Sequence, residues 1–214
     1  MSQSHSRRPR GRPSVGIREA ILDATYRLVL ERGLTGLTTK EIAAAADASE
    51  ASIYYHFADK TALIEGVILD AVLEPLRAFA AIFPAETEGR SLRHALTSYA
   101  RKLTAFWEPV LPLLAAVQAD AELRDEFASR ITELGYGPHR GVRAVADYLT
   151  EQQRLGHVRK DVDARQAALS FAGACFLSAY QRHMFGPRRK LPPLDRTLET
   201  LVRLIEPSGA EARR

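Results

Sequence analysis

Between Thr38 and Lys60 the chain sets small and hydrogen-bonding side chains at the spacing that fits the major groove of DNA. Glu50, Ala51, Ser52, Tyr54, Tyr55 and His56 fall on the outward side of one short helix, whose Ile53 and Phe57 turn inward. Hydroxyl, phenol and imidazole groups so placed can meet base edges or phosphate oxygens. Glu50 carries two readings. In a groove its carboxylate repels phosphate and serves only as an acceptor from the cytosine N4 amine, whereas in a first helical turn it offsets the helix dipole. Tyr54 likewise reads either as a base-edge contact or as a packing residue.

A helix presented to a groove needs others to hold it there. Ile42, Ala43 and Ala46 give the preceding segment an apolar face, Asp47-Ala48-Ser49 supplies a tight turn, and Ser49 can cap the helix that follows. Together these segments form a helix-turn-helix in which Ala43 is small because the two helices cross almost on top of it. Upstream, Ile17, Ile21, Ala24 and Leu28 recur at helical spacing, and Gly33 ends the segment, which makes this the first helix of a three-helix head. Downstream, Asp59 caps a fourth helix carrying Leu63, Val67 and Leu73, bent or ended at Pro75, that connects the head to the rest of the chain.

The run from Ile42 to Lys60 resembles the TetR family of bacterial transcription regulators, whose pattern Ile-Ala-x-x-Ala-Gly-Val-Ser-x-x-x-Leu-Tyr-x-His-Phe-x-x-Lys it follows in order. Asp47 stands where that pattern has Gly, and Ala48 where it has Val. A turn residue at positive φ costs a non-glycine side chain about 1–2 kcal/mol, and Asp is among the residues that tolerate it best. The resemblance implies that Thr39 and Lys40 open the motif as phosphate or base contacts. It implies that Glu50, Ala51, Ser52 and Tyr54 face base edges, while Tyr55, His56 and Lys60 hold the DNA backbone. It also implies double-stranded DNA with a palindromic operator as the partner, a homodimer, and a helical body that binds a small-molecule effector.

The excess charge sits in one place. Residues 1–16 hold Arg7, Arg8, Arg10 and Arg12 with no acid, which matches the formal net charge of +4 of the whole 214-residue chain. A basic arm directly before a helix-turn-helix points to nucleic acid more strongly than does the overall pI. Pro9-Arg10-Gly11-Arg12-Pro13 is similar to the core of an AT-hook, in which Arg10 and Arg12 enter a narrow minor groove. A solvated basic tail that attracts phosphate alone is the equal alternative.

The body reads as helical throughout, with runs over 91–107, 113–118, 121–134, 138–155, 163–184 and 194–205, and with Pro109 and Pro112 expected to interrupt the pattern after Trp107. The predicted fold is all-α: a three-helix helix-turn-helix head on a larger helical ligand-binding and dimerisation body. The expected division is a disordered basic arm (1–16), a DNA-binding domain (17–60), an effector-binding and dimerisation domain (61–206) and a flexible tail (207–214). Phe171, Ala172, Cys175 and Ala179 form one apolar stripe, and Leu198, Leu201, Val202 and Ile205 form another. In the resembled family the last two helices pair with their symmetry mates, so these stripes are the expected dimer interface. Periodicity alone also allows an intramolecular core. Phe79, Tyr99, Leu103, Phe106, Trp107, Tyr136, Tyr148 and Phe176 offer an apolar and aromatic lining for an effector pocket.

Other functions find little support. No zinc-ligand cluster, glycine-rich phosphate loop or nucleophile elbow occurs, so no metal or cofactor is expected and an enzyme is disfavoured. A helical enzyme and an architectural binder of A·T-rich DNA remain the two alternatives. The single Cys175 cannot form an internal disulfide and sits among apolar or small neighbours, as a packed thiol in a reducing compartment would. The polar start of the chain leads to no apolar signal region, and the least polar stretches fall short of the roughly 20 residues a membrane span requires. A cytoplasmic location with no membrane partner is expected.

Overall fold

The computed structural model describes residues 16–34, 36–73, 89–186 and 192–207, which divide into two compact units, one ending at Ile68 and the other beginning at Leu69. Arg10, Arg12, Phe79, and the arm and tail apart from Gly16 and Pro207, lie outside the described residues. No strand occurs among the described residues.

The first unit contains α1 (Ile17–Arg32), α2 (Thr39–Ala45), α3 (Glu50–His56) and α4 (Lys60–Ile68). Seven-residue helices such as α2 and α3 are too short to persist alone, so their ends and their buried side chains must hold them. Thr38 and Glu41 form a capping box at the start of α2: Glu41 N–H donates to Thr38 Oγ1 (3.2 Å), and Thr38 N–H donates to Glu41 Oε2 (3.0 Å). Ser49 Oγ accepts from Ser52 N–H at 3.1 Å to start α3, and Asp59 Oδ1 accepts from Ala62 N–H at 2.8 Å to start α4. The turn between α2 and α3 is a Schellman motif. Ala48 N–H reaches back to Ala43 O (2.9 Å), Asp47 N–H to Ala44 O (3.4 Å), and Asp47 takes the left-handed conformation at φ 51°. This is the conformation that the usual glycine would adopt without strain.

Inside the unit, Ile21, Ile42, Ile53 and Leu63 are fully buried, one from each helix, with Leu22, Leu28, Val67 and Phe57 around them. Gly66 sits where α4 meets this core. A Cβ there would lie 3.0 Å from the Phe57 ring and 3.2 Å from Leu22 Cδ2, so a larger residue would press on both side chains. The compact unit runs on through α4 to Ile68.

The second unit opens with a π turn (Leu69–Leu73) and contains α5 (Leu92–Gln118), α6 (Ala121–Glu133), α7 (Pro138–Arg154), α8 (Ala164–Phe185) and α9 (Leu194–Ile205). α8 packs against α5, α7 and α9. The expected interruption at Pro109 and Pro112 does not occur, and α5 runs through both prolines. Each proline removes a helical hydrogen bond, but Val110, Leu111, Leu113 and Val117 bury one continuous face there, and tertiary packing overrides the local cost. Asp163 Oδ1 caps α8 by accepting from Arg165 and Gln166 N–H. Gln153 Nε2 donates to the carbonyls of Arg159 and Val162, and Arg159 N–H donates to Ile205 O, so the α7–α8 connection is tied to the end of α9.

The stripes expected to form a dimer interface lie inside this unit. Phe171, Cys175 and Ala179 of α8 and Leu198, Val202 and Ile205 of α9 are buried in its core, while Ala172 and Leu201 are half-buried against it. Most of each stripe is thus covered within the chain itself. The reason lies in α8, which is apolar on two sides: Leu169, Phe176, Leu177, Tyr180 and Met184 occupy the opposite face, and all are exposed. Burial pushes the Cys175 thiol up to about 12, in keeping with a packed thiol.

Candidate nucleic-acid interface

The caps, the turn and the inward Ile53 and Phe57 leave one side of α3 to solvent. Glu50, Ala51, Tyr54 and Tyr55 are exposed there, with 55% of Tyr54 and 81% of Tyr55 accessible, whereas Ser52 and His56 are half-buried. Two adjacent exposed tyrosines offer a partner surface both ring faces and hydroxyl groups. Tyr54 thus keeps more than half of its surface outside the head core. Tyr55 and His56 pack edge to face with ring centroids 5.0 Å apart, and His56 also meets the edge of Phe57. The imidazole is thus held between one surface ring and one core ring. The Ser52 hydroxyl lies 2.8 Å from Ser49 Oγ, beside the cap that Ser52 N–H makes with the same oxygen.

Lys40 is exposed at the start of α2, and Lys60 is half-buried at the start of α4; neither ammonium makes an ion pair among the described residues. Arg18 lies over the Phe57 ring at 5.5 Å, close enough for a cation–π contact. Thr39 and Glu50, read from sequence as separate contacts, are joined: Thr39 Oγ1 donates to Glu50 Oε1, linking the first residues of α2 and α3. Glu41 and Arg32 are not among the site residues predicted from sequence. The Thr38-x-x-Glu41 spacing is the signature of Glu41, while Arg32 reaches it from α1 outside that pattern. Glu41 accepts from Thr38 N–H and Oγ1 and from Arg32 Nη1 (3.3 Å), and these donors, Thr38 foremost, hold its carboxyl below the usual range. Its charge is thus spent within the protein.

In the second unit the predicted effector residues fall into separate settings. Tyr99 and Leu103 are core, Tyr99 stacking on Phe171 at 6.0 Å, and burial raises the Tyr99 phenol pKa. Phe106, Trp107 and Phe176 form an edge-to-face ladder that continues to Tyr180 at the surface. Tyr136 lies under the Arg140 guanidinium, 4.4 Å from its ring centroid, and Tyr148 packs half-buried against the core. A cavity of about 470 Å³ opens between α8 and α9, lined by Ala174, Leu177, Ser178, Gln181, Leu194 and Thr197 among others. No group of three His, Cys, Asp or Glu side chains among the described residues is placed to hold a metal, and no described helix is long and apolar enough to cross a membrane.

Comparison with known proteins agrees with this arrangement. Residues 21–67 match the model of the bacterial regulatory proteins of the tetR family, and residues 91–205 match that of the AefR-like transcriptional repressor C-terminal domain. Over 126 residues the chain is 34% identical to the uncharacterized HTH-type transcriptional regulator YdeS of Bacillus subtilis, a match covering 56% of this chain and 60% of that protein. Its fold is similar to a crystal structure from Mesorhizobium loti described as a TetR-family transcriptional regulator, at TM-score 0.72 and 22% identity over 92% of this chain and 100% of the other. It is also similar to NalD of Pseudomonas aeruginosa, described as the secondary repressor of the MexAB-OprM multidrug efflux pump, at TM-score 0.60 and 19% identity over 92% and 98% of the two chains. At these identities the two structures speak for the fold. The family models account separately for the head and the body, and the chain belongs to the TetR family, a family of DNA-binding transcription regulators rather than enzymes.

Proposed function

We propose that the protein is a cytoplasmic, ligand-responsive repressor that binds a palindromic operator as a homodimer. The observation that carries the reading is the outer face of α3, where Tyr54 and Tyr55 stand exposed beside Ala51 while Ile53 and Phe57 anchor the helix from within. Ala51 and Tyr54 meet base edges, and Lys40, Tyr55, His56 and Lys60 hold phosphates on either side. Repression rather than activation is supported by the body's match to a repressor C-terminal domain. Footprinting on fragments of the source genome tests this. A short protected palindrome is expected, and uniform coating of A·T-rich DNA would replace the reading with that of an architectural binder.

The homodimer forms through the second apolar face of α8, Leu169, Phe176, Leu177, Tyr180 and Met184, together with Leu204 of α9. The cavity between α8 and α9 shares Leu177 with this face and belongs to the same contact. Two-fold pairing of like faces suits a palindromic site. A small apolar or aromatic effector enters the body and shifts the dimer toward a form with lower operator affinity, so the two ligands weaken each other reciprocally. Trp107 is the only tryptophan of the chain and lies within the Phe106–Phe176 ladder, which makes its fluorescence the reporter. Compounds that alter Trp107 emission should release operator DNA in proportion. Emission changes without any change in operator affinity would remove the effector from the mechanism.

A further inference from the structure

Glu50 and Glu41 stand near one another in sequence but are held differently. Glu41 is met by Thr38 and by the Arg32 cation, so both its oxygens are satisfied inside the head. Glu50 is exposed, receives only the neutral Thr39 hydroxyl on Oε1, and has no cationic partner among the described residues. Its Oε2 is left to whatever α3 meets. A carboxylate so placed weakens binding to every DNA sequence through phosphate repulsion unless it accepts a hydrogen bond from a base. In the major groove the cytosine N4 amine is the donor that suits a carboxylate.

We propose that Glu50 is a specificity-determining residue that accepts from cytosine N4 in each operator half-site, and that Thr39 is its positioning residue. The Thr39 hydroxyl fixes the carboxylate in one orientation before DNA arrives, so the side chain need not be ordered on binding. Thr39 thereby acts through Glu50 rather than as a phosphate ligand. This rests on the DNA-binding reading of α3 given above.

The test is selection of bound duplexes from a randomised pool by the full chain, followed by salt titration on the selected site. The unaltered protein should select a cytosine at one position of each half-site and discriminate against other bases there by roughly 5-fold to 100-fold. Glu50→Gln keeps an acceptor for Thr39 but turns its other atom into a donor. It should lose the cytosine preference in favour of a base presenting an acceptor, such as thymine O4 or guanine O6, with an unchanged salt slope. Thr39→Val removes the hydroxyl at nearly constant shape and should narrow the cytosine preference, again without changing the salt slope. Thermal melting checks that both variants fold. A Glu50→Gln protein that keeps the same base preferences and binds all sequences more tightly would overturn the proposal, as would a Thr39→Val slope lower by about one phosphate. If the unaltered chain selects no sequence at all, the DNA-binding reading itself fails, an outcome distinct from either variant result.

Discussion

α3 and α8 are both helices with one buried face, yet their other faces could hardly differ more. α3 turns Glu50, Tyr54 and Tyr55 outward around the buried Ile53, a polar and aromatic surface on a seven-residue helix. α8 turns Leu169, Phe176, Leu177, Tyr180 and Met184 outward around the buried Phe171 and Cys175. The buried faces explain the fold, and the free faces indicate the partners. A surface of hydroxyls and one carboxylate suits a hydrated polyanion with donor and acceptor edges; a surface of large apolar groups suits another apolar surface. Partner chemistry therefore resides in what each helix has left over after folding.

The largest expected effect breaks the α8 side of this contrast. Leu177→Arg places an unpaired charge in the proposed contact and should cost the dimer about 3 kcal/mol, enough to yield monomers at micromolar concentration. Sedimentation velocity reads this directly. A fully dimeric variant would move the interface elsewhere. Gly66→Ala tests the scaffold beneath α3, since its new methyl meets the Phe57 ring and Leu22, and a loss of about 1–3 kcal/mol should appear as a lower melting temperature. An unchanged melting temperature would show that the ring moves aside freely.

Lys60→Ala sharpens the head side. Operator affinity should fall modestly, with the slope of log affinity against log salt reduced by about one phosphate and the melting curve unchanged. An unaltered slope would take Lys60 out of the phosphate contacts. The smallest effect is a gain: Asp47→Gly relieves the left-handed residue of the turn and should stabilise the head by about 0.5–1 kcal/mol, after the greater chain entropy of glycine is set against the relieved strain. Chemical denaturation monitored by circular dichroism measures it. A less stable variant would mean that the Asp47 side chain contributes to the turn.

The head was legible in the sequence because local and tertiary signals agree there. Ile42, Ala43, Ile53 and Phe57 are spaced for burial, Ser49 and Asp59 are capping residues, and each takes that role in the fold. The body was less legible for two reasons. Pro109 and Pro112 argue locally for a break that the buried face of α5 overrides. In α8, apolar residues lie on both sides, and periodicity reveals the faces without saying which one the chain itself covers. The Thr39–Glu50 contact joins residues eleven positions apart through a turn, a relation that spacing within one helix does not express.

The boundary at Ile68 has an electrostatic consequence. Within residues 17–68 the acids Glu19, Asp23, Glu31, Glu41, Asp47, Glu50, Asp59 and Glu65 outnumber the bases Arg18, Arg27, Arg32, Lys40 and Lys60, a formal charge of −3. The four arginines of residues 1–16 reverse it to +1. If α3 reads the operator as proposed, a head that is itself slightly anionic leaves the long-range attraction to the arm, and the α3 surface governs how long a correct encounter lasts. Removing residues 1–13 should therefore slow association measured by stopped flow at low salt while leaving dissociation from the operator nearly unchanged. Faster dissociation with unchanged association would give the arm a direct grip on the bound site instead. On this division of labour, the arm sets the pace of the search and the head sets the residence time.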